Sequence, residues 1–324
     1  MSVKTTTLSR STSTKPPRRT AAQLALCRQD PTTYYAREVV AGRIVTGPLV
    51  ELAAERQLRD LKDGPKRGLA WRVEVTHKVF GYFRDVLRLN GGQFEGQPFE
   101  LIGAGPGGPW QAFIVGSLYG WCGADGNRRF RVAYIEIGKS NGKSPLAAGM
   151  GLYCLTSDGE MRAECYAAAA RKEQAMTLFR DAVAMRDQSP ALKRKIIAYG
   201  GLNPWRLFYP TTDSFFSVIS ADDKQSGPRP SYAACDEIHE HADGTIVNML
   251  RNGFKFRLNP LLVETTNSGV DKTSVCYEHH DYSMRVLERR VEDDSWFAYV
   301  CGLAKRDSWK NPKTWIKANP NLGV

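Results

Sequence analysis

The chain has 324 residues, 42% hydrophobic and 24% charged, enough for one large domain or two small ones with a sizeable core. No apolar run reaches the roughly 18 residues of a membrane span, and seven scattered cysteines without a secretory leader exclude a disulfide-stapled module and point to free thiols in a reducing cytoplasm. A net charge of +11 and a pI near 9.3 favour a polyanionic partner, because basic surface draws in phosphate backbones.

Residues 1–20 hold Lys4, Arg10, Lys15, Arg18 and Arg19, no acid and many Ser and Thr. That composition predicts a disordered basic arm, and it lacks the amphipathic apolar face of an organellar transit peptide. Residues 21–98 read as helical. Breaks fall at Pro31 and Pro48, the stretch from Leu49 stops at Gly64, and a further pattern from Trp71 ends at Asn90-Gly91-Gly92. From Phe99 onward short apolar or β-branched runs alternate with helical ones, which predicts an α/β domain with a mainly parallel sheet flanked by helices. The predicted strands are Phe130–Ile137, Ala163–Ala169, Phe215–Ser220, Ser231–Glu237 and Pro260–Asn267, with helices over Pro145–Leu155, Lys172–Arg186 and Thr245–Asn252. Ligands of such sheets bind beyond the carboxyl ends of the strands, and three polar clusters stand there.

The first cluster, GKSNGKS, runs from Gly138 to Ser144 between an apolar strand and a helix, the setting a phosphate loop requires. Gly142, Lys143 and Ser144 fit the end of G-x-x-x-x-G-K-[ST]. The first glycine is displaced by one position to Gly138, and the loop carries a second cation, Lys139. Pro145 has no N–H to offer an α-phosphate, although a first helical turn tolerates it. The second cluster, CDEIHEH, ends a strand in Asp236 and Glu237, one carboxylate to hold Mg²⁺ and a neighbour to orient and deprotonate an attacking water. The third, VETTNSG, offers Thr265, Thr266 and Asn267 at the tip of a neighbouring strand, placed to sense a γ-phosphate. Cys235, His239, His241, Cys276, His279 and His280 lack the paired spacing of a structural zinc site; His239 reads as a polar neighbour of the acids.

From about Phe99 to the C-terminus the chain resembles the ATPase region of a tailed-bacteriophage terminase large subunit. PWQAFIVGSLYGW resembles that family's adenine-reading segment and points to Gln111. GKSNGKS resembles its atypical Walker A, in which a basic residue such as Lys139 is usual; CDEIHEH resembles its Walker B with the catalytic acid; TTNSG resembles its coupling motif; and WIKANPNLG resembles the segment before its second domain. The resemblance implies a P-loop NTPase of the RecA-like (ASCE) type with a helical N-terminal extension, divided into an arm at 1–20, helices at 21–98, the ATPase core at 99–290 and a lid or linker at 291–324. It implies ATP and Mg²⁺ as cofactors. The nucleotide would be held by Gln111, Gly138, Lys139, Ser140, Asn141, Gly142, Lys143 and Ser144, and the metal by Ser144 and Asp236. Glu237, Lys143 and Lys139 would be catalytic, and Thr265, Thr266 and Asn267 would couple hydrolysis to motion. The implied function is an ATPase motor driving double-stranded DNA into proheads in the host cytoplasm. Its implied partners are a portal protein and a small terminase subunit, in a ring that is monomeric in isolation. The family's nuclease domain does not fit between Gly269 and Val324, so Asp293 and Asp294 read as a loop and nuclease activity is not expected. The alternative is a nucleotide- or DNA-binding assembly module with vestigial hydrolysis.

Overall fold

Prolines open two of the first three helices. α1 (Ala21–Gln29) is capped by Thr20, whose hydroxyl accepts from the Gln23 amide while the Gln23 side chain accepts from the Thr20 amide. α2 (Pro31–Val40) and α3 (Pro48–Asp63) each start on a proline, where the missing N–H costs nothing and the fixed φ favours the helix. The computed structural model describes residues 20–103, 105, 107–220 and 227–323; the predicted arm, apart from Thr20, lies outside them. After β1 (Ala70–Trp71), α4 (Val73–Gly81) is shorter than its pattern predicted. A π-helical turn at Tyr82–Val86 follows it, and Leu87 is already extended. α5 (Trp110–Gly120) is almost wholly buried and leads into β2 (Trp121–Cys122), which pairs with β1.

The main sheet has eight strands: β3 (Val132–Glu136), β4 (Glu164–Ala169), β5 (Ile197–Tyr199), β6 (Arg206–Tyr209), β7 (Ser214–Ser220), β8 (Tyr232–Cys235), β9 (Leu261–Thr266) and β10 (Trp296–Val300). Their order is β10-β3-β9-β8-β4-β7-β6-β5, parallel from β10 to β7, with β6 antiparallel to both its neighbours. The five predicted strands all form. β5, β6 and β10 were not anticipated, and β10 extends the sheet past the expected core boundary at residue 290.

α6 (Lys143–Thr156) and α7 (Lys172–Gln188) pack over the alanine-rich strands β4 and β8 and over β7. Small side chains there let the helices come close: a Cβ at Gly149 or Gly151 would stand 2.7 or 2.6 Å from a phenylalanine ring, of Phe83 or Phe216. The short α8 (Pro190–Lys195) leads to β5, α9 (Thr245–Asn252) precedes β9, and α10 (Val275–Leu287) covers β3 and β10. The N-terminal helices join the same core. The Tyr35 and Tyr299 hydroxyls are 2.8 Å apart, Arg56 donates to the Trp296 carbonyl, and buried Arg129 pairs with Asp60 on α3 at 2.8 Å. All seven cysteines are buried, and none is in a disulfide. No helix among the described residues is long and apolar enough to cross a membrane.

Candidate functional site

The carboxyl ends of three adjacent strands, β3, β9 and β8, bring the three predicted clusters together. Between β3 and α6 the chain reverses through Ser140 and Gly142, with φ of +62° and +76°. The left-handed Gly142 delivers the first turn of α6 with its free amides and positive dipole end facing the loop. Lys143 is the first residue of that helix and is buried. Its ammonium donates to the carbonyls of Ile137 (3.0 Å) and Gly138 (3.3 Å) and to Asn267 Oδ1 (2.7 Å). Among the described residues no carboxylate pairs with it. A buried cation met only by neutral acceptors is a place that favours an anion. Burial pulls its pKa below the ordinary lysine value, and the charges of Glu237 and Asp236 oppose that.

Asp236 is fully engaged. Its carboxylate accepts from Ser144 Oγ (2.7 Å), Thr265 Oγ1 (2.6 Å) and the Glu237 amide (3.0 Å). Glu237 sits in left-handed backbone (φ +48°), which no glycine relieves. Its Oε2 accepts from Asn267 Nδ2 (3.1 Å) and lies 3.3 Å from His239 Nδ1. Burial, with the neighbouring Asp236 charge, raises its pKa above the usual glutamate value. Asn267 therefore bridges the lysine and the second acid, an amide with one end on each. Thr266 Oγ1 donates to the Asn267 carbonyl and stands 3.0 Å from His239 Nδ1, so His239 is the polar neighbour expected.

A cavity of about 360 Å³ opens beside the loop, walled by Gln111, Ser140, Gly142, Pro145, Phe99 and Asn321 among others. Gln111 points across it: its Nε2 is 3.6 Å from where a Cβ on Gly142 would be. Lys139 and Ser140 are exposed. Asn141 does not face the loop's mouth. Its Nδ2 donates to the carbonyls of Gly138 and Lys139 and to Asn319 Oδ1 (3.2 Å), while its Oδ1 accepts from the Asn321 amide (3.0 Å). Asn321 Oδ1 in turn accepts from Trp110 Nε1 (2.9 Å), and Gly138 N donates to the Ala318 carbonyl (3.2 Å). The C-terminal segment is thus strapped onto the loop by residues that sequence reasoning missed, since nothing in A-N-P-N reveals a partner some 180 residues away. The other histidines of the candidate zinc cluster are spread over separate partners: His241 on the Asp236 carbonyl, His279 on Glu264, His280 on Glu136.

The fold is similar to that of solved structures. The crystal structure of the HK97 bacteriophage large terminase superposes with a TM-score of 0.63 at 20% identity, covering 76% of this chain and 48% of that one. The Thermus phage P74-26 large terminase ATPase domain aligns at 18% identity over 46% of this chain and 63% of that one, with a TM-score of 0.39. In sequence, protein YmfN of Escherichia coli strain K12 is 32% identical over 98 residues, 30% of this chain and 22% of YmfN. The chain therefore spans about half of the HK97 protein and a smaller share of YmfN. The family model for the ATPase domain of the terminase large subunit matches residues 109–285, more than half of the chain and every strand that bears the site. On that match the chain belongs to the terminase large subunit ATPase family.

Proposed function

We propose that this chain is the ATP-hydrolysing motor region of a terminase large subunit, which drives double-stranded DNA into a prohead. The observation that carries the reading is the buried Lys143 ammonium at the start of α6, faced by neutral acceptors only and standing beside the hydrogen-bonded Ser144–Asp236 pair. Gln111 reads the adenine edge, where an amide can both donate and accept. The loop amides and Lys143 take the phosphates, with exposed Lys139 adding charge to the loop. A hydroxyl and a carboxylate are the hard oxygen donors Mg²⁺ prefers, so Ser144 and Asp236 would hold it; when bound, it neutralises charge on the phosphate oxygens. Glu237, with its raised proton affinity, orients the attacking water and takes its proton. Asn267 gives up the Lys143 ammonium when a γ-phosphate claims it and, still held to Glu237, carries that change to the acid and to Thr265 and Thr266 on β9. By family resemblance the motor works as a ring with portal protein and small terminase subunit in the host cytoplasm.

The test is ATP turnover, with and without DNA, together with nucleotide-dependent melting. ATP·Mg²⁺ should stabilise the wild type by about 2.7 kcal/mol at a hundredfold excess over Kd. Lys143→Ala should abolish that shift, and Glu237→Gln should keep it while turnover falls roughly 10²- to 10⁴-fold. A shift that survives Lys143→Ala overturns the reading. A wild type that binds nucleotide and never hydrolyses it would instead make the chain an assembly module.

A further inference from the structure

The stretch from Ser189 to Thr212 contains Lys193, Arg194, Lys195 and Arg206 and no acid. It forms α8 and the β5–β6 hairpin at the free edge of the sheet. Edge strands are commonly blunted by charge on the strand itself. Here the strand and its turn present large apolar side chains: Ile197 is 47% exposed, Tyr199 45%, Trp205 51% and Leu202 fully. Nothing in the core calls for Leu202 at that place. The turn is also built rather than loose. Gly200 has φ +116°, the Asn203 amide donates to the Gly200 carbonyl and the Trp205 amide to the Tyr199 carbonyl.

Register fixes where the tip points. Arg206 pairs with Ser217 and Tyr209 with Ser214, so the turn lies toward the carboxyl end of β7, the end at which β8 delivers Asp236 and Glu237. Three strand spacings separate β6 from β8, about 14 Å at ~4.8 Å each. Lys172, exposed at the start of α7, lines one cavity with Trp205 and Arg206, and Arg206 stacks on Phe215 at 3.9 Å. Lys193, Arg194 and Lys195 are all exposed and form no ion pair among the described residues.

We infer that the β5–β6 hairpin and the three cations of α8 form a contact surface for duplex DNA. A two-stranded ribbon fits a major groove, which would seat Leu202 and Trp205 against base edges and sugars. Cations free of carboxylates, beside an acid-free ribbon, complement the flanking phosphates. Lysine is depleted from protein–protein interfaces, which disfavours a neighbouring protein as the partner of the α8 cations. The inference rests on the motor reading for the choice of DNA as partner, and it adds where that partner is gripped.

The experiment measures binding of the purified chain to a labelled duplex of mixed sequence across a salt series. Lys193→Glu/Arg194→Glu/Lys195→Glu and Leu202→Ser/Trp205→Ala are compared with wild type, each checked for unchanged melting. The charge-reversal variant should lose at least roughly tenfold in affinity at low salt, and the slope of log K against log salt should fall by about 2.7 if all three cations meet phosphates. The tip variant should lose several-fold in affinity with the slope unchanged. Neither should alter basal ATP turnover. Unchanged duplex affinity in both variants overturns the inference, as does a loss confined to single-stranded DNA or a change in sedimentation with DNA binding intact. The nucleotide-dependent melting shift, recorded on the same samples, separates this failure from that of the motor reading: a wild type that shifts with ATP·Mg²⁺ but whose hairpin variants bind DNA normally refutes the hairpin alone.

Discussion

Asp236 and Glu237 are adjacent in sequence, yet their surroundings differ, and the roles proposed for them follow that difference. Asp236 accepts three hydrogen bonds and is buried, whereas Glu237 is half-open and carries the raised pKa. The folded protein holds the Glu237 proton more tightly than an unfolded chain does. Its ionised form therefore costs stability at neutral pH, and that cost disappears as pH falls through the raised value. Glu237→Gln should accordingly raise the melting temperature slightly at neutral pH and leave it unchanged in acid, and a thermal scan across pH reads the difference. Turnover by the wild type should rise with pH through the same raised value, and that limb should vanish with the variant's residual activity. Asp236→Asn should instead weaken the Mg²⁺ dependence of turnover and loosen Ser144 and Thr265, which a metal titration measures. At the base end, Gln111→Ala should erase any preference for ATP over GTP in KM, because guanine presents an acceptor at O6 where adenine presents a donor. The acids and the lysine were legible as candidates because each sits where a strand ends or a helix begins, whereas Gln111, inside α5, came only through the family resemblance. The bridge made by Asn267 was not, since it depends on β9 lying between β3 and β8, and strand order is not written in local pattern.

Elements were legible in proportion to their length and regularity. The long parallel strands and their helices carry continuous apolar runs that few other structures can bury. β5 and β6 are three and four residues long and joined by a glycine-rich turn, too short for periodicity to register. β10 is a plain apolar run, Trp296–Val300, that only its position beside β3 turns into a strand. The pattern beyond α4 breaks because Tyr82 and Phe83 are drawn into the core against Tyr153 and Phe99, which widens the helix there into a π turn. α10 is docked by two histidines in adjacent positions: His279 Nδ1 stands 2.7 Å from Glu264 and His280 Nδ1 2.7 Å from Glu136. Burial lowers the His279 pKa, but the Glu264 charge and hydrogen bond together outweigh it, and the hydrogen bond to Glu136 lifts that of His280, so both end above the ordinary value. A raised histidine pKa gives stability that is complete below the unfolded value of about 6.5 and is lost as pH climbs through the folded value. His280→Gln should therefore lower the melting temperature most in mild acid, and the gap to wild type should close as pH rises. A gap that is constant with pH would mean that His280 serves by packing alone.

At the scale of the whole molecule, the chain returns to its own loop between β3 and α6. Residues 311–323 close over the loop through Asn319 and Asn321, and through Asn321 they reach Trp110 at the head of α5. Three regions far apart in sequence thus share one wall of the cavity beside Gln111. Asn319→Ala/Asn321→Ala removes several hydrogen bonds, each worth about 0.5–1.5 kcal/mol. The double variant should weaken nucleotide binding several-fold in calorimetry and, by loosening the backbone, speed trypsin cleavage at the lysines from Lys305 to Lys317, with the fold's melting little changed. Trypsin resistance equal to wild type would show that the strap is held by other contacts.

The cysteine distribution makes this strap open to direct observation. Because every native thiol is shut inside the protein, a maleimide dye has nothing to react with on the folded surface. A cysteine introduced at exposed Ser308, just ahead of the strap, would be the one addressable handle. A dye there, quenched or released according to whether the segment lies on the loop, would turn occupancy of the site into an optical signal recorded in real time on the native chain.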